Sequence, residues 1–282
     1  MSGNESAYLV AGATGNVGAE VVRALAAQGR HVKALVRDAG RARLPEGVEA
    51  AVGDLDRPES LEPWLGGVEG VFLLPGFADM PGVYGRLRGA GVRRVVQLSG
   101  SSTDVGNPEN AVSAMMIRSE AAARESGLRW TALRPSGFMS NALRWLPQLR
   151  EGDVVRAPWG DVPVACIDPA DIAAVAIAAL TDDAHGGRIY RLSGPRAMVP
   201  AEQIAVLGEV LGRPLRFEGL TLEETRAELE ATMPEKYVRA FWEFYVDGTL
   251  DESGVFPDVE RVTGRPPRTF EEWARAHFGD FG

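Results

Sequence analysis

The stretch that most limits the fold of this chain is a glycine-rich turn near its N-terminus. A short apolar run over residues 8–11 leads straight into Gly12-Ala13-Thr14-Gly15-Asn16-Val17-Gly18, and a helical pattern over 17–27 follows. Glycine adopts backbone conformations that a Cβ forbids and lets another group come close to the main chain. A helix opening just after such a turn presents unbonded N–H groups and the positive end of its dipole, which together attract an anion. The spacing is G-x-x-G-x-x-G rather than the commoner G-x-G-x-x-G of dinucleotide sites. With a strand before it and a helix after it, the turn reads as a pyrophosphate cradle, with Gly12, Thr14, Gly15, Asn16, Val17 and Gly18 as contact residues.

The same alternation continues downstream. Apolar runs over 31–36, 48–52, 68–74, 94–98 and 129–133 are separated by helical patterns such as 112–125, the sign of βαβ units and a parallel sheet. Gly29, Gly91 and Gly127 stand where the intervening helices should end. After Arg134 the alternation loosens. Asp168-Pro169-Ala170-Asp171 reads as an N-cap, a proline in the first turn and an acid at the third position, opening a helix to about Leu180. Residues 188–192 read as a strand, and helices are expected over 201–211, 222–231, 235–247 and 270–277. The predicted class is α/β: a Rossmann-type doubly wound parallel sheet with a smaller, mostly helical C-terminal lobe. The 282 residues, 45% of them hydrophobic, suffice for one large core. One unit is expected over 1–282, with 1–150 mainly the Rossmann core and 151–282 mainly a substrate lobe that returns at least one strand to the core.

The second strand ends at Val36-Arg37-Asp38, about 20 residues past the glycines, where NAD-binding chains place a carboxylate on the ribose 2′-hydroxyl and an arginine suits a 2′-phosphate. Arg37 takes the first position there, with Arg41 and Arg43 close behind, so NADP(H) is the expected cofactor. The other reading makes Arg37 a solvated surface residue and gives the ribose to Asp38. Gly53-Asp54-Leu55 follows the third strand. Asp54, a cofactor candidate together with Leu55, either accepts from the adenine amino group or caps the next helix, and spacing does not separate the two.

Several chemistries are disfavoured. A net charge of -9 argues against a broad nucleic-acid surface. No stretch approaches the ~20 apolar residues of a membrane span, and residues 1–7 lack the basic and apolar regions of a secretory signal, so a soluble cytoplasmic protein is expected. The single cysteine, Cys166, has no internal disulfide partner, in keeping with a reducing compartment. His31, His185, His277 and Cys166 are too scattered to suggest a metal site. No Gly-x-Ser-x-Gly elbow is present. The carboxylate pairs Glu223-Glu224 and Glu271-Glu272 read as helix starts. Only two lysines exist, Lys33 and Lys236, so a catalytic lysine has two possible addresses.

Residues 12–18, Leu35-Val36-Arg37, Gly53-Asp54, GVRRVVQLS at 91–99, TALRPSGFMSN at 131–141 and VTGRPPRTF at 262–270 together resemble the NmrA-like branch of the atypical short-chain dehydrogenases/reductases. The resemblance spans nearly the whole chain. It implies cofactor contacts from the glycine-rich turn, Arg37, Pro75 after the fourth strand, and Ser99. It further implies that the backbone around Pro135, Ser136, Gly137 and Phe138 faces the nicotinamide. Read without the family, Arg134-Pro135-Ser136-Gly137 is a strand end broken by proline and glycine at the carboxyl edge of the sheet, where ligands bind in such folds.

Many members of that superfamily use a Tyr-x-x-x-Lys pair, one helical turn apart, plus a serine. Aligned on residues 119–127, the tyrosine position holds Ile117 and the lysine position Ala121, so the pair is absent. Ser101 matches the family serine best. Phe241, Trp242, Phe244 and Tyr245 run at near-helical spacing, with Trp145 and Trp159 upstream; such stripes are more often core than pocket. Tyr245 is the one phenol there with a route to a substrate, so Ser101 and Tyr245 are the catalytic candidates. The resulting expectation is an NADP(H)-dependent oxidoreductase that reduces a quinone or another aromatic or polyketide-like electrophile by direct hydride transfer. Its partner is a small apolar or aromatic substrate. The alternatives are an NADP(H)-sensing regulator with a protein partner, and a non-redox cyclase or isomerase on the same scaffold.

Overall fold

The computed structural model describes residues 6–281, so the reading of the polar N-terminal stretch lies, for residues 1–5, outside the described residues. In chain order the first elements are β1 (Ala7–Val10), α1 (Asn16–Ala27), β2 (His31–Val36), β3 (Glu49–Val52), β4 (Val68–Leu73), α2 (Met80–Gly89), β5 (Arg94–Leu98), α3 (Ala111–Glu125) and β6 (Arg129–Pro135). There follow α4 (Leu146–Glu151), β7 (Val154–Ala157), α5 (Pro169–Thr181), β8 (Arg188–Leu192), α6 (Pro200–Leu211) and β9 (Arg216–Gly219). The chain ends with α7 (Leu222–Thr232), α8 (Glu235–Tyr245), α9 (Asp258–Thr263) and α10 (Phe270–Ala276). These elements form two compact units, one of residues 6–100, 115–134 and 169–190, the other of 101–114, 135–168 and 191–281.

Seven strands make the main sheet in the order β3-β2-β1-β4-β5-β6-β8, and every pairing from β3 to β6 is parallel. Parallel pairing puts the carboxyl ends of these strands along one edge. The order reverses at β1, between β2 and β4, and that reversal is the topological switch point where doubly wound sheets bind ligands. The period of two along β1 sends its side chains to opposite faces. Ala7 and Leu9 join a core with Met80, Tyr84 and Leu87 of α2 and Ala122 and Ala123 of α3, whereas α1 and α5 pack together on the other face. Both faces are therefore covered, which is why these strands read as near-continuous apolar runs. Gly29, Gly91 and Gly127 all have positive φ (70°, 82° and 74°), as expected of residues that close a helix.

The second unit has its own core of Met139, Leu149, Val155, Ile204, Leu207 and Trp273. Its helix starts are set locally. Thr221 with Glu224, and Thr269 with Glu272, form reciprocal capping boxes, which accounts for the paired glutamates as helix starts. Sequence pattern overlooked the two-stranded parallel sheet of β7 and β9, in which Val155 pairs with Phe217. Four residues per strand are too few for an alternation signal, and the pairing bridges residues far apart in the chain.

Candidate active site

In the first unit the glycine-rich turn lies at the carboxyl end of β1. Gly12 has φ +62°, a conformation that favours glycine, and its carbonyl accepts from the Gly15 amide at 2.8 Å. A Cβ on Gly18 would lie 2.1 Å from the Gly12 carbonyl oxygen, so only glycine lets α1 start this close to the strand. Thr14, Gly15 and Asn16 are exposed while Val17 and Gly18 are buried. No side chain caps α1 and no acid stands in its first turn. Its leading N–H groups are thus left for an anion.

The neighbouring strand ends supply the remaining predicted contacts of this unit. Arg37 is exposed directly after β2. Asp38 is engaged by Arg41 at 3.4 Å and by the Gly40 amide at 2.9 Å. Asp54 does not cap the following helical turn, because its Oδ1 accepts from the Asp56 amide at 3.0 Å and the turn at Pro58–Trp64 begins without a side-chain cap. Leu55 is buried beside it. Pro75 is half-buried, and Gly76 after it donates its amide to Ser119 Oγ at 3.0 Å. Ser99 is buried, its hydroxyl donating to Glu120 Oε1 at 2.7 Å and its amide to Leu133 O at 2.8 Å. Burial pushes the Glu120 carboxyl up, but hydrogen bonds from Arg134 and Ser99 outweigh that and hold it below its usual range. Sequence reading did not single out this carboxylate, which ties α3 to the ends of β5 and β6.

In the second unit Ser136 is buried, its hydroxyl donating to Ala165 O and its amide to Leu192 O at 2.9 Å. Gly137 and Phe138 are half-buried, and the Gly137 carbonyl accepts from Ile167 N at 2.9 Å. Pro135, buried, closes β6. The two catalytic candidates meet at one carboxylate: Ser101 Oγ donates to Glu252 Oε1 at 2.6 Å, and Tyr245 Oη donates to Glu252 Oε2 at 2.8 Å. Both hydroxyl residues are half-buried, whereas Glu252 is only 8% exposed. Burial, reinforced by the charge of Glu252, drives the Tyr245 phenol well above its usual range. Glu252 was not among the sequence candidates, because it lies in an irregular loop and belongs to no motif.

The aromatic stripe divides between core and site. Phe244 is 2% exposed and belongs to the core, while Tyr245 packs on Trp159 (ring centroids 4.6 Å) and lies parallel to Phe241 (6.3 Å). Trp159 is the one residue other than glycine with positive φ among the described residues, and its buried indole N–H has no partner among them. The unit also holds a cavity of about 170 Å³ walled by Met139, Cys166, Met198 and Phe270, with Arg196 and Thr269. Burial raises the Cys166 thiol to about 12, so it is no nucleophile. Neither lysine serves a site. Lys33 is buried, donating to Trp64 O and Gly66 O at 2.9 Å, and Lys236 is exposed over the Tyr237 ring. Among the described residues no group of His, Cys, Asp or Glu could hold a metal, and no helix is long and apolar enough to cross a membrane.

A parallel sheet with helices on both faces and a glycine-rich turn at its switch point is the Rossmann-type architecture of dinucleotide-binding α/β proteins. The NmrA-like family model matches residues 4–274, and the chain belongs to that family. It is 43% identical over 95% of its length, and 97% of the relative's, to a (4-alkanoyl-5-oxo-2,5-dihydrofuran-3-yl)methyl phosphate reductase of Streptomyces griseus. It is 38% identical to the NAD(P)H azoreductase of Xenophilus azovorans, over 97% of this chain and 99% of that one. Its fold matches that of an Escherichia coli NADPH-dependent quinone oxidoreductase complexed with NADPH, with TM-score 0.77, 23% identity, and coverage of 96% and 99%. The chain is an NAD(P)H-dependent reductase.

Proposed function

We propose that the chain reduces a conjugated, largely apolar electrophile, a quinone or an enone, with NADPH and without a Tyr-Lys pair. The observation that carries this reading is the pairing of an aromatic wall, Trp159, Phe241 and Tyr245, with two half-buried hydroxyls where neither lysine of the chain stands. A flat π system fits such a wall. The relatives named above as a reductase of an alkanoyl-substituted oxo-dihydrofuran phosphate and as an azoreductase support a conjugated acceptor as the substrate class.

The first unit fits the dinucleotide. The glycine-rich turn with its exposed Thr14, Gly15 and Asn16, the uncapped start of α1 and the exposed Arg37 match a pyrophosphate and a 2′-phosphate in turn. When bound, NADPH supplies a hydride; the protein supplies orientation, which is worth up to about 7–11 kcal/mol in favourable cases. General acid help adds about 10²–10⁴-fold, so a reactive quinone tolerates a weak donor better than an enone does.

The direct test is anaerobic NADPH oxidation against a panel of quinones, enones and ketones. Quinones and enones should be consumed and simple ketones spared, and a panel with no reaction would overturn the assignment of substrate class. The cofactor preference is tested separately. Arg37→Ala should weaken NADPH binding about tenfold or more and leave NADH binding within twofold, as loss of one charge-assisted phosphate contact requires. An unchanged preference in fluorescence titrations would return the ribose to Asp38.

A further inference from the structure

We infer that the polar end of the second unit's site accepts hydrogen bonds and offers none, so that it selects a conjugated electrophile bearing a neutral hydroxyl or amino group. The inference rests on the reading that this unit binds such an electrophile, and it names the substituent that is recognised. Ser101 and Tyr245 make the contact, and Glu252 acts through them as a positioning residue.

The observation is the direction of two hydrogen bonds. Ser101 Oγ donates to Glu252 Oε1 at 2.6 Å, and Tyr245 Oη donates to Glu252 Oε2 at 2.8 Å. A hydroxyl has one hydrogen to give and lone pairs besides. Both hydrogens are therefore spent on the carboxylate, and each oxygen has only lone pairs left for a ligand. The serine contact is as short as hydrogen bonds to a charged acceptor are. Burial raises the Tyr245 phenol and the Cys166 thiol, and the negative charge of Glu252 raises both further.

Neither hydrogen is free to turn toward a ligand. Glu252 is only 8% exposed, so little water reaches it to replace a hydroxyl that swings away. A buried charge short of a donor costs more than a neutral group left unpaired. The carboxylate cannot retreat either, since the Glu252 carbonyl accepts from Ala165 N at 2.8 Å. The Tyr245 ring is held between Trp159 and Phe241. Ser101 and Tyr245 are half-buried, which leaves their lone pairs the accessible part of the cluster. A bare carbonyl brings lone pairs of its own and finds no donor in these three side chains. A hydroxyl or N–H supplies the missing hydrogen, and an anionic substituent is repelled by Glu252.

The experiment compares 2-(hydroxymethyl)-1,4-naphthoquinone with its methyl ether, 2-(methoxymethyl)-1,4-naphthoquinone, in wild type and Glu252→Gln. The alcohol has a hydrogen to give, and the ether has only lone pairs. Wild type should show a KM about tenfold lower for the alcohol, the upper end for one net hydrogen bond, with kcat values within about threefold. In Glu252→Gln the amide N–H donates to one of the two hydroxyls, which then turns its own hydrogen to the ligand. The preference should fall to within about twofold or reverse, because the site then holds a donor as well as an acceptor. A preference owed to the smaller size of the alcohol, or beside a merely structural Glu252, survives the substitution at full size and overturns the inference. Equal KM values in wild type overturn it too, while reduction of both quinones still upholds the substrate class. Should Glu252→Gln fail to fold, wild type is compared on the alcohol and 2-ethyl-1,4-naphthoquinone, which match in size. A lower KM for the alcohol then sustains the inference, and an equal or higher one overturns it. If wild type reduces none of these quinones, the substrate-class reading fails by itself. Calorimetric titration with 2-naphthalenemethanol and 2-(methoxymethyl)naphthalene then decides the inference. Tighter binding of the alcohol by wild type but not by Glu252→Gln sustains it, and equal binding, or binding of neither, overturns it.

Discussion

Gly15→Val is expected to raise the dissociation constant for NADPH at least 100-fold while leaving the circular dichroism spectrum and melting temperature close to those of wild type. Gly15 caps α1 with φ −93° and ψ 177°, a conformation open to any residue, and it is exposed. A Cβ there meets only the Gly12 carbonyl oxygen at 3.3 Å, a contact relieved by a shift of a few tenths of an ångström. The fold therefore tolerates the side chain. An approaching pyrophosphate does not, because the branches of valine occupy the space from which phosphate oxygens reach the leading N–H groups of the helix. Losing two charge-assisted hydrogen bonds at about 1.5 kcal/mol each amounts to roughly 3 kcal/mol, or about 100-fold in affinity. Titration of NADPH fluorescence measures it, and binding retained within threefold would remove the phosphate from this turn.

Three residues later the same kind of substitution should have the opposite signature. A Cβ on Gly18 would sit 2.1 Å from the Gly12 oxygen, 2.6 Å from its carbonyl carbon and 2.9 Å from the Ala11 oxygen. All three are main-chain atoms in a turn fixed by the positive φ of Gly12, so nothing nearby can swing aside. Gly18→Ala must push α1 away from β1, and it should destabilise the chain by about 3 kcal/mol, the upper end for overpacking. For a chain of this size that corresponds to a fall in Tm of roughly 6–12 °C. Thermal denaturation without cofactor is the measurement. An unchanged Tm would show that the turn opens more easily than its geometry implies. Together the pair separates a glycine needed for a ligand's approach from a glycine needed for the helix's.

Much of the first unit was legible in the residues because its signals are local or periodic. The strands at 31–36 and 94–98 lie where the apolar runs put them, since burial on both faces of a parallel sheet leaves few positions for polar residues. The glycine-rich turn was readable because its requirement is steric and is met within seven residues. The capping glutamates, Glu224 and Glu272, were readable because each answers a threonine three positions earlier.

Tertiary structure alone decided the roles of the carboxylates and of the hydroxyls that meet them. Ser99 fits a strand-end cofactor contact in sequence, yet its hydroxyl is turned onto Glu120, 21 residues away. Ser101 and Tyr245 were each visible as candidates, but their shared partner was not, because the Ser101–Glu252 contact spans 151 residues. The β7–β9 pair, about 60 residues apart, was hidden for the same reason. A glycine carries its constraint in its own backbone, so neighbours in sequence reveal it. A glutamate is a solvated surface charge, a structural anchor or an acid according to what donates to it and how much water reaches it, and both are set only when distant segments pack together.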